Sequence, residues 1–553
     1  MSLIQKLSQT KSIHLLKKRA RNQKIKEDKN TKSFSLLNFS EFKCSSLITN
    51  LRILFILFLA IKAVNSKQLN SKDSEITITI NGDGRQQILQ GGDCPDYVYI
   101  NGGEENVRDA GNCKQLDIPI NETSKINKVK MVWTSKINSA YDLLKDMPNL
   151  IEVDLSRFDS SEITTMDFMF QRDHNLISIN FSNFNTSKVT SMECLFYECY
   201  NLKELDLSSF DTSKVTQMRL LFHLCHSLTS INLESFDTSN VLNMELMFLQ
   251  NYNLREVSTK NFNTAKVQNM KMMFSECHSL TSLDLTNFDT SSLTDMESMF
   301  DNSYNLKSIN LSSFDTSNVK NMKNVFKQCK ALDYLDISNF DTSKVNYMDN
   351  MFTDCENLKY LNLSNFYTPN LWSMYKMFTN CKSLFSLDIS NFDTHYITNM
   401  DSMFSGCIKL TTLNISNFNV DSVTSLKNMF ENCYKLDYIN LHLYADHNND
   451  DRLEHILDET PQNMVICIEE NVHTEKLQYI IYLKICPTIY CGYDWKSKQK
   501  KILKNNTCVE YFMVETTEPN IITTEINIES TEIKESTNII ESTEIKESTL
   551  EFI

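Results

Sequence analysis

Residues 351–374 read MFTDCENLKYLNLSNFYTPNLWSM, and the same phrase returns along the chain every 26 residues. A phenylalanine marks it at Phe158, Phe184, Phe210, Phe236, Phe262, Phe288, Phe314, Phe340, Phe366, Phe392 and Phe418, eleven units without one insertion. In the same register stand methionines from Met166 to Met400, a second phenylalanine from Phe170 to Phe430, and leucines from Leu176 to Leu436. Self-similarity at a fixed period of about 20–50 residues is the mark of a solenoid.

Two periodicities coexist inside each unit. Apolar and polar residues alternate at Leu205-Asp206-Leu207, which predicts a short strand, whereas Met218, Leu221, Phe222 and Cys225 fall at helical spacing. The expected fold class is therefore an α/β repeat solenoid of leucine-rich-repeat type. Each 26-residue unit is one short strand plus one short helical turn, and the ends are capped. A solitary unit cannot bury both its faces; stacking completes the burial and supplies the strand hydrogen bonds. With strands ~4.8 Å apart, eleven units span roughly 50–55 Å.

The flanks read differently. Residues 1–66 carry 13 Lys and Arg against 3 Asp and Glu and lead into the apolar run Ile53–Ile61. A transmembrane helix needs about 20 apolar residues, but a secretory signal core only ~7–15 after positive charge. That pattern predicts a basic N-terminal segment and signal sequence over 1–66, cleaved after Ser66, with the remainder translocated. Membrane contact is then expected only through this signal or signal anchor. The remainder holds 42 Lys and Arg against 67 Asp and Glu, a net charge of −25, which repels nucleic acid.

Residues 67–131 hold seven of the nine glycines and read as a Gly-rich β N-terminal cap, with Ile76, Ile78 and Ile80 alternating ahead of a turn at Asn81–Gly84. Residues 132–441 are the leucine-rich-repeat solenoid, a degenerate first unit followed by the eleven repeats. Residues 442–512 form a Cys-containing C-terminal cap. Residues 513–553, where Glu-Ser-Thr-Glu-Ile-Lys-Glu-Ser-Thr occurs twice, read as a disordered Glu/Ser/Thr-rich tail.

The repeated phrase, Met-Phe-x-x-Cys-x-x-Leu-x-x-Leu-Asp-Leu-Ser-x-Phe-Asp-Thr-Ser-x-Val-x-x-Met, resembles the 26-residue repeat of bacterial surface proteins, the BspA-like leucine-rich repeats. The resemblance covers about residues 150–441. It implies a secreted or surface-anchored protein, often an adhesin or host-interaction protein without catalytic activity, and it carries no conserved binding residues.

Cysteines divide by position. Cys94 and Cys113 are expected to pair within the N-terminal cap, and Cys467, Cys486, Cys491 and Cys508 make an even set with three possible connectivities. Eight more, from Cys199 to Cys433, share one repeat position three residues after a core phenylalanine and read as buried free thiols. At another position His174, Tyr200, His226, Tyr252, His278 and Tyr304 alternate, which reads as a half-exposed turn position duplicated in pairs of repeats.

Between the two leucines of each strand runs an outward ladder that alternates strictly between acid and amide from Asp284 to Asn414. Alternation spaces the carboxylates to ~10 Å and allows hydrogen bonds from Asn to Asp, so the ladder is first structural and is poor for calcium. Its candidate binding face comprises Asp284, Asn310, Tyr334, Asp336, Tyr360, Asn362, Asp388, Asn414 and Tyr438. Candidate glycosylation sites are Asn121 and Asn505. No glycine-rich phosphate loop, His-Glu-x-x-His or nucleophile elbow occurs, so neither an enzyme nor a cofactor or metal is expected. The reading is a non-catalytic, secreted or cell-surface protein that adheres to a protein or glycan on another cell or matrix through its strand face. A structural spacer or stalk at the cell surface is the competing reading.

Overall fold

The computed structural model describes residues 73–105, 116–120, 125–441, 450–467, 475–491 and 494–510. The segment read as a signal sequence, Cys113, Asn121 and the Glu/Ser/Thr-rich tail lie outside the described residues.

An N-terminal β structure starts the stack. Strand β1 (Ser74–Asn81) turns through Gly82 (φ 118°) and Gly84 (φ 75°) into β2 (Gly84–Leu89). These are left-handed conformations that glycine adopts without steric cost. Strands β3 (Tyr97–Ile100), β4 (Gly103–Glu105), β5 (Leu116–Ile120) and β6 (Ile126–Trp133) follow, and β2 pairs antiparallel with β5. Strand β1 lies between β6 and β7 (Leu150–Arg157), antiparallel to both, and β7 runs parallel to β8 (Ser178–Asn180). The cap sheet thus extends into the first two strands of the solenoid, and the edge of the first coil is paired rather than left open.

Most coils contribute a strand of two to four residues: β9 (Ser230–Asn232), β10 (Glu256–Ser258), β11 (Ser282–Asp284), β12 (Ser308–Asn310), β13 (Tyr334–Leu335), β14 (Tyr360–Leu361), β15 (Thr412–Ile415) and β16 (Tyr438–Leu441). The coils at Leu205–Leu207, where alternation predicts a strand, and at Leu387–Ile389 form none. Neighbours pair parallel with an offset of 26 residues, as in Leu283 with Ile309 and Leu335 with Leu361. A second parallel ladder of single bridges runs from Thr165 through Ser191, Gln217 and Asn243 onward.

The helical turn expected in each unit is replaced by a run of tight turns. The N–H groups of Met166, Phe168, Phe170 and Arg172 donate to the carbonyls of Ser191, Glu193, Leu195 and Tyr197 one coil on, at 2.8–3.1 Å. The intervening Met169, Gln171 and Asp173 fold back on carbonyls three residues earlier. An α-helix would direct these donors along its own axis, to the fourth residue back. Here half of them tie neighbouring coils together. That arrangement needs positive φ twice per coil, from Asp142 (57°) and Asp146 (59°) in the first to His455 (57°) and Glu459 (55°) in the last.

The interior is two phenylalanine columns with leucine, methionine and valine around them. Rings from Phe170 to Phe430 stack in unbroken succession, 5.3–6.1 Å between centroids. In the Phe158 column rings stack from Phe158 to Phe236, from Phe262 to Phe340 and from Phe366 to Phe392, 6.0–6.4 Å between centroids. Burial is continuous along the whole stack, as the solenoid reading requires. Beneath the Asp-Thr-Ser corner, a buried column runs from Thr186 to Thr394, each hydroxyl donating to the carbonyl 25 residues on at 2.8–2.9 Å.

The stack does not stop at Leu441. Asn428, Phe430 and Asn432 donate to the carbonyls of Glu454, Ile456 and Asp458, so residues 450–467 make a further coil whose strand β17 (Val465–Cys467) pairs parallel with β16. Helix α1 (Glu475–Tyr482), β18 (Thr488–Ile489) and the hairpin β19 (Lys501–Lys504) with β20 (Thr507–Glu510) complete this end. Lys484 donates through Nζ to the carbonyls of Leu457 and Thr460, at 2.8 and 3.2 Å, and so covers acceptors at the end of the described coils. Disulfides join Cys467 to Cys491 and Cys486 to Cys508, one of the three connectivities left open by the sequence. Cys94 is also disulfide-bonded.

Candidate functional site: the strand face

The strand face is set by the pleat. Leu335 and Leu361 point inward and are buried, which turns Tyr334, Asp336, Tyr360 and Asn362 outward. Tyr334 and Tyr360 are register partners in β13 and β14, and they are 61% and 57% exposed. Phe385, which stands where the two preceding coils have Asp333 and Lys359, meets Tyr360 edge-on at 5.1 Å. The sequence reading passed over Phe385, although an aromatic replacing a charged residue at one rung was a usable signal. Partial burial and the Asp336 charge raise the Tyr334 hydroxyl above its ordinary pKa.

Asp284, Asn310, Asp336, Asn362, Asp388 and Asn414 are all exposed on this face. Their shared work differs from the expected rungs. In each, Oδ1 accepts the backbone N–H two residues on: Thr286, Ser312, Ser338, Ser364, Ser390 and Ser416 respectively, at 3.0–3.2 Å. Asp and Asn offer that acceptor equally, which is why they interchange. Among the described residues, a side-chain rung of the expected kind joins Asn180 Nδ2 to Asp154 Oδ1 at 2.9 Å. Tyr438 is drawn off the open face, because its hydroxyl donates to the Lys498 carbonyl at 3.0 Å and the side chain is half-buried. Asn505 is exposed at the tip of the β19–β20 hairpin.

At the start of the face, where β1 meets β7, a hollow of about 320 Å³ is lined by Thr77, Thr79, Lys128, Glu152, Asp154 and Asn180, among others. Among the described residues no group of three or more His, Cys, Asp or Glu is placed to hold a metal ion.

Two further columns are now placed. The cysteines are buried free thiols, and each Sγ donates to a phenylalanine carbonyl in the preceding coil, as Cys277 does to Phe248 at 3.3 Å and Cys433 to Phe404 at 3.1 Å. Asn251 and Ser303 make the same bond where they replace cysteine. The alternating His and Tyr side chains form one stacked column, His174–Tyr200–His226–Tyr252–His278–Tyr304, with centroids 4.3–4.9 Å apart.

The comparisons bear on the repeat itself. No curated protein matches the chain. A solved structure described as the crystal structure of the TLR13–ssRNA13 complex aligns at 13% identity over 62% of this chain and 65% of that one, so the match spans less than two thirds of that chain. Its TM-score is 0.17. A family model described as "Mycoplasma protein of unknown function, DUF285" matches four times, at residues 118–228, 201–307, 278–384 and 355–457. These segments overlap into one span that runs through the whole repeat array and covers more than half of the 553 residues. The chain belongs to the DUF285 family of repeat proteins.

Proposed function

We propose that this protein is a non-catalytic, BspA-like adhesive solenoid, displayed or released at the cell surface, that binds a protein or glycan through its strand face. The observation that carries the reading is the register pair Tyr334 and Tyr360, both more than half exposed and flanked by Asp336. Exposed aromatic side chains on a rigid ladder lose little conformational freedom on binding, and they dominate the energetics of many recognition surfaces. The adjacent carboxylates and the acidic charge beyond residue 66 favour a partner that presents amines, guanidinium groups or hydroxyls. The disulfides of the C-terminal segment and the basic, apolar N-terminal sequence support export.

Replacing Tyr334 and Tyr360 together by serine, the residue at the same register in β11 and β12, removes the rings without disturbing the coil. Attachment of the purified protein to cells or matrix falls at least tenfold if the strand face is the binding surface. Unchanged attachment by this folded variant favours the spacer. Sequencing the N-terminus of the mature protein tests cleavage: a start at Lys67 supports a signal peptide, and a retained Met1 contradicts it in favour of a signal anchor.

A further inference from the structure

A second, separate surface stands out on the corner that follows the Asp-Thr-Ser phrase. One coil departs there from its neighbours at several outward positions together. Tyr367 stands where the adjacent coils have Asp341 and Asp393, and Trp372 stands between Asn346 and Thr398. Tyr375 replaces the acids Asp349 and Asp401, and the next coil adds Tyr396 beside Asn370. The ladder fixes this adjacency, because Trp372 N–H donates to the Asn346 carbonyl at 3.1 Å and Thr398 N–H to the Trp372 carbonyl at 3.0 Å. Tyr367, Trp372 and Tyr396 are 55%, 58% and 66% exposed. Large aromatics this open, gathered within two rungs of ~4.8 Å each, are uncommon on a surface without a partner.

We infer that this corner is a carbohydrate-binding platform for neutral glycans, distinct from the strand face. The composition selects that occupant. Two positions that hold acids in the adjacent coils are tyrosines here, Tyr367 and Tyr375, and Asp393, one rung from Tyr367, is engaged by His395 at 2.6 Å. This corner thus carries fewer charges than the coils on either side, and its Lys376 Nζ lies over the Tyr375 ring at 5.0 Å, which favours an uncharged ligand. Between residues 340 and 400 the exposed large apolar side chains are all aromatic, with no leucine, isoleucine or valine among them. Protein-binding patches mix aromatic and aliphatic groups in a dry core. Rings interleaved with amides and hydroxyls instead match a pyranose, whose C–H face lies flat on the electron-rich ring while its hydroxyls meet Asn and Thr at the ring's edge.

The test uses the full chain and a panel of laminarin, xylan, galactomannan and chitin oligosaccharides, with heparin as the acidic control. Binding is read by affinity electrophoresis and calorimetry, and by the part of the tryptophan emission that Trp372→Thr removes, the other two tryptophans being Trp133, which is buried, and Trp495. We expect at least one neutral glycan to bind and to perturb this emission. Trp372→Thr and Tyr396→Asn, each installing the residue of an adjacent coil, weaken it at least tenfold with an unchanged melting curve. Tyr334→Ser/Tyr360→Ser leaves it intact, which separates this site from the strand face. The inference is overturned if no neutral glycan binds at millimolar sugar, if only heparin binds, or if Trp372→Thr binds like the parent. It is equally overturned if the patch instead drives self-association that Trp372→Thr abolishes in sedimentation.

Discussion

Thr186 and Asp211, one coil apart, are joined twice: the Thr186 hydroxyl accepts the Asp211 N–H at 2.7 Å and donates to the Asp211 carbonyl at 2.9 Å. The buried hydroxyl replaces the pair of ladder bonds that the chain cannot make while it turns the corner. The same double bond recurs between Thr238 and Asn263, Thr290 and Asp315, and Thr394 and Asn419. Replacing Thr290 by valine keeps the volume but strands a buried donor and acceptor, a cost of about 1–3 kcal/mol. Thr290→Ser, which keeps the hydroxyl, loses less. Denaturant midpoints of the two variants check the order.

The cysteine column is expected to be chemically inert while the protein is folded. Burial pushes the Cys277 thiol up to about 12, so thiolate is scarce at neutral pH and no reagent reaches it. Iodoacetamide at pH 8 should label the thiols of the column only after denaturation. Cys277→Ser should be tolerated, because Ser303 already donates to the Phe274 carbonyl at 2.8 Å from the same position.

Asp173 occupies the cysteine position in the first full coil, fully buried, with Oδ1 accepting the Met147 N–H at 2.8 Å and Oδ2 unpartnered. Burial raises its pKa well above the usual carboxylate value, with the Met147 hydrogen bond opposing. A carboxyl whose folded pKa lies above its unfolded one contributes stability at low pH that is lost as pH rises through the folded value. Asp173→Cys, the residue of eight later coils, should raise stability at pH 7 by roughly 1–3 kcal/mol. It should also flatten the pH dependence above about pH 4, the ordinary carboxylate range. Thermal melts from pH 4 to 8 measure both.

The His–Tyr column carries the opposite sign. His226 and His278 each bury Nε2 without a partner, and burial lowers their pKa. Their neutral forms therefore favour the fold, and that contribution is lost as pH falls below about 6.5, the unfolded histidine value. Tyrosine at both positions, matching their stacked neighbours, should remove this part of the acid sensitivity while preserving the ring column. Melting temperatures at pH 5 and 7.5 check it.

Much of the stack is legible in the sequence because its interior repeats without interruption: the Phe158 and Phe170 registers, the strand leucines and the buried cysteines all fall where the period puts them. The turn run was misread as a helical turn because Met218, Leu221, Phe222 and Cys225 keep the same one-sided spacing in either conformation. The distinguishing signal lay on the polar side, in Asn428, Asn432, Asn324 and Gly406, residues that tolerate positive φ where a helix interior disfavours them. The coil at 450–467 escaped because it lacks the Phe-Asp-Thr phrase, although Leu453, Ile456 and Leu457 keep the inward spacing. The Asp–Asn alternation looked like cross-strand pairing. It is instead a local turn requirement that either side chain meets, so alternation carries no information about rungs. Tyr334 and Tyr360 were legible as outward-facing, whereas the removal of Tyr438 by Lys498 depends on contacts sixty residues apart.

The central claim, that consecutive units lie side by side in register, is tested most directly by cross-linking on the exposed strand positions. Ser282 and Ser308 are register partners in β11 and β12, and adjacent parallel strands ~4.8 Å apart suit a disulfide. In the full chain, Ser282→Cys/Ser308→Cys should form an intramolecular disulfide under mild oxidation, seen by peptide mass spectrometry. Ser282→Cys/Tyr334→Cys, two rungs apart, should not. Equal cross-linking of both pairs, or of neither, would contradict the in-register stack.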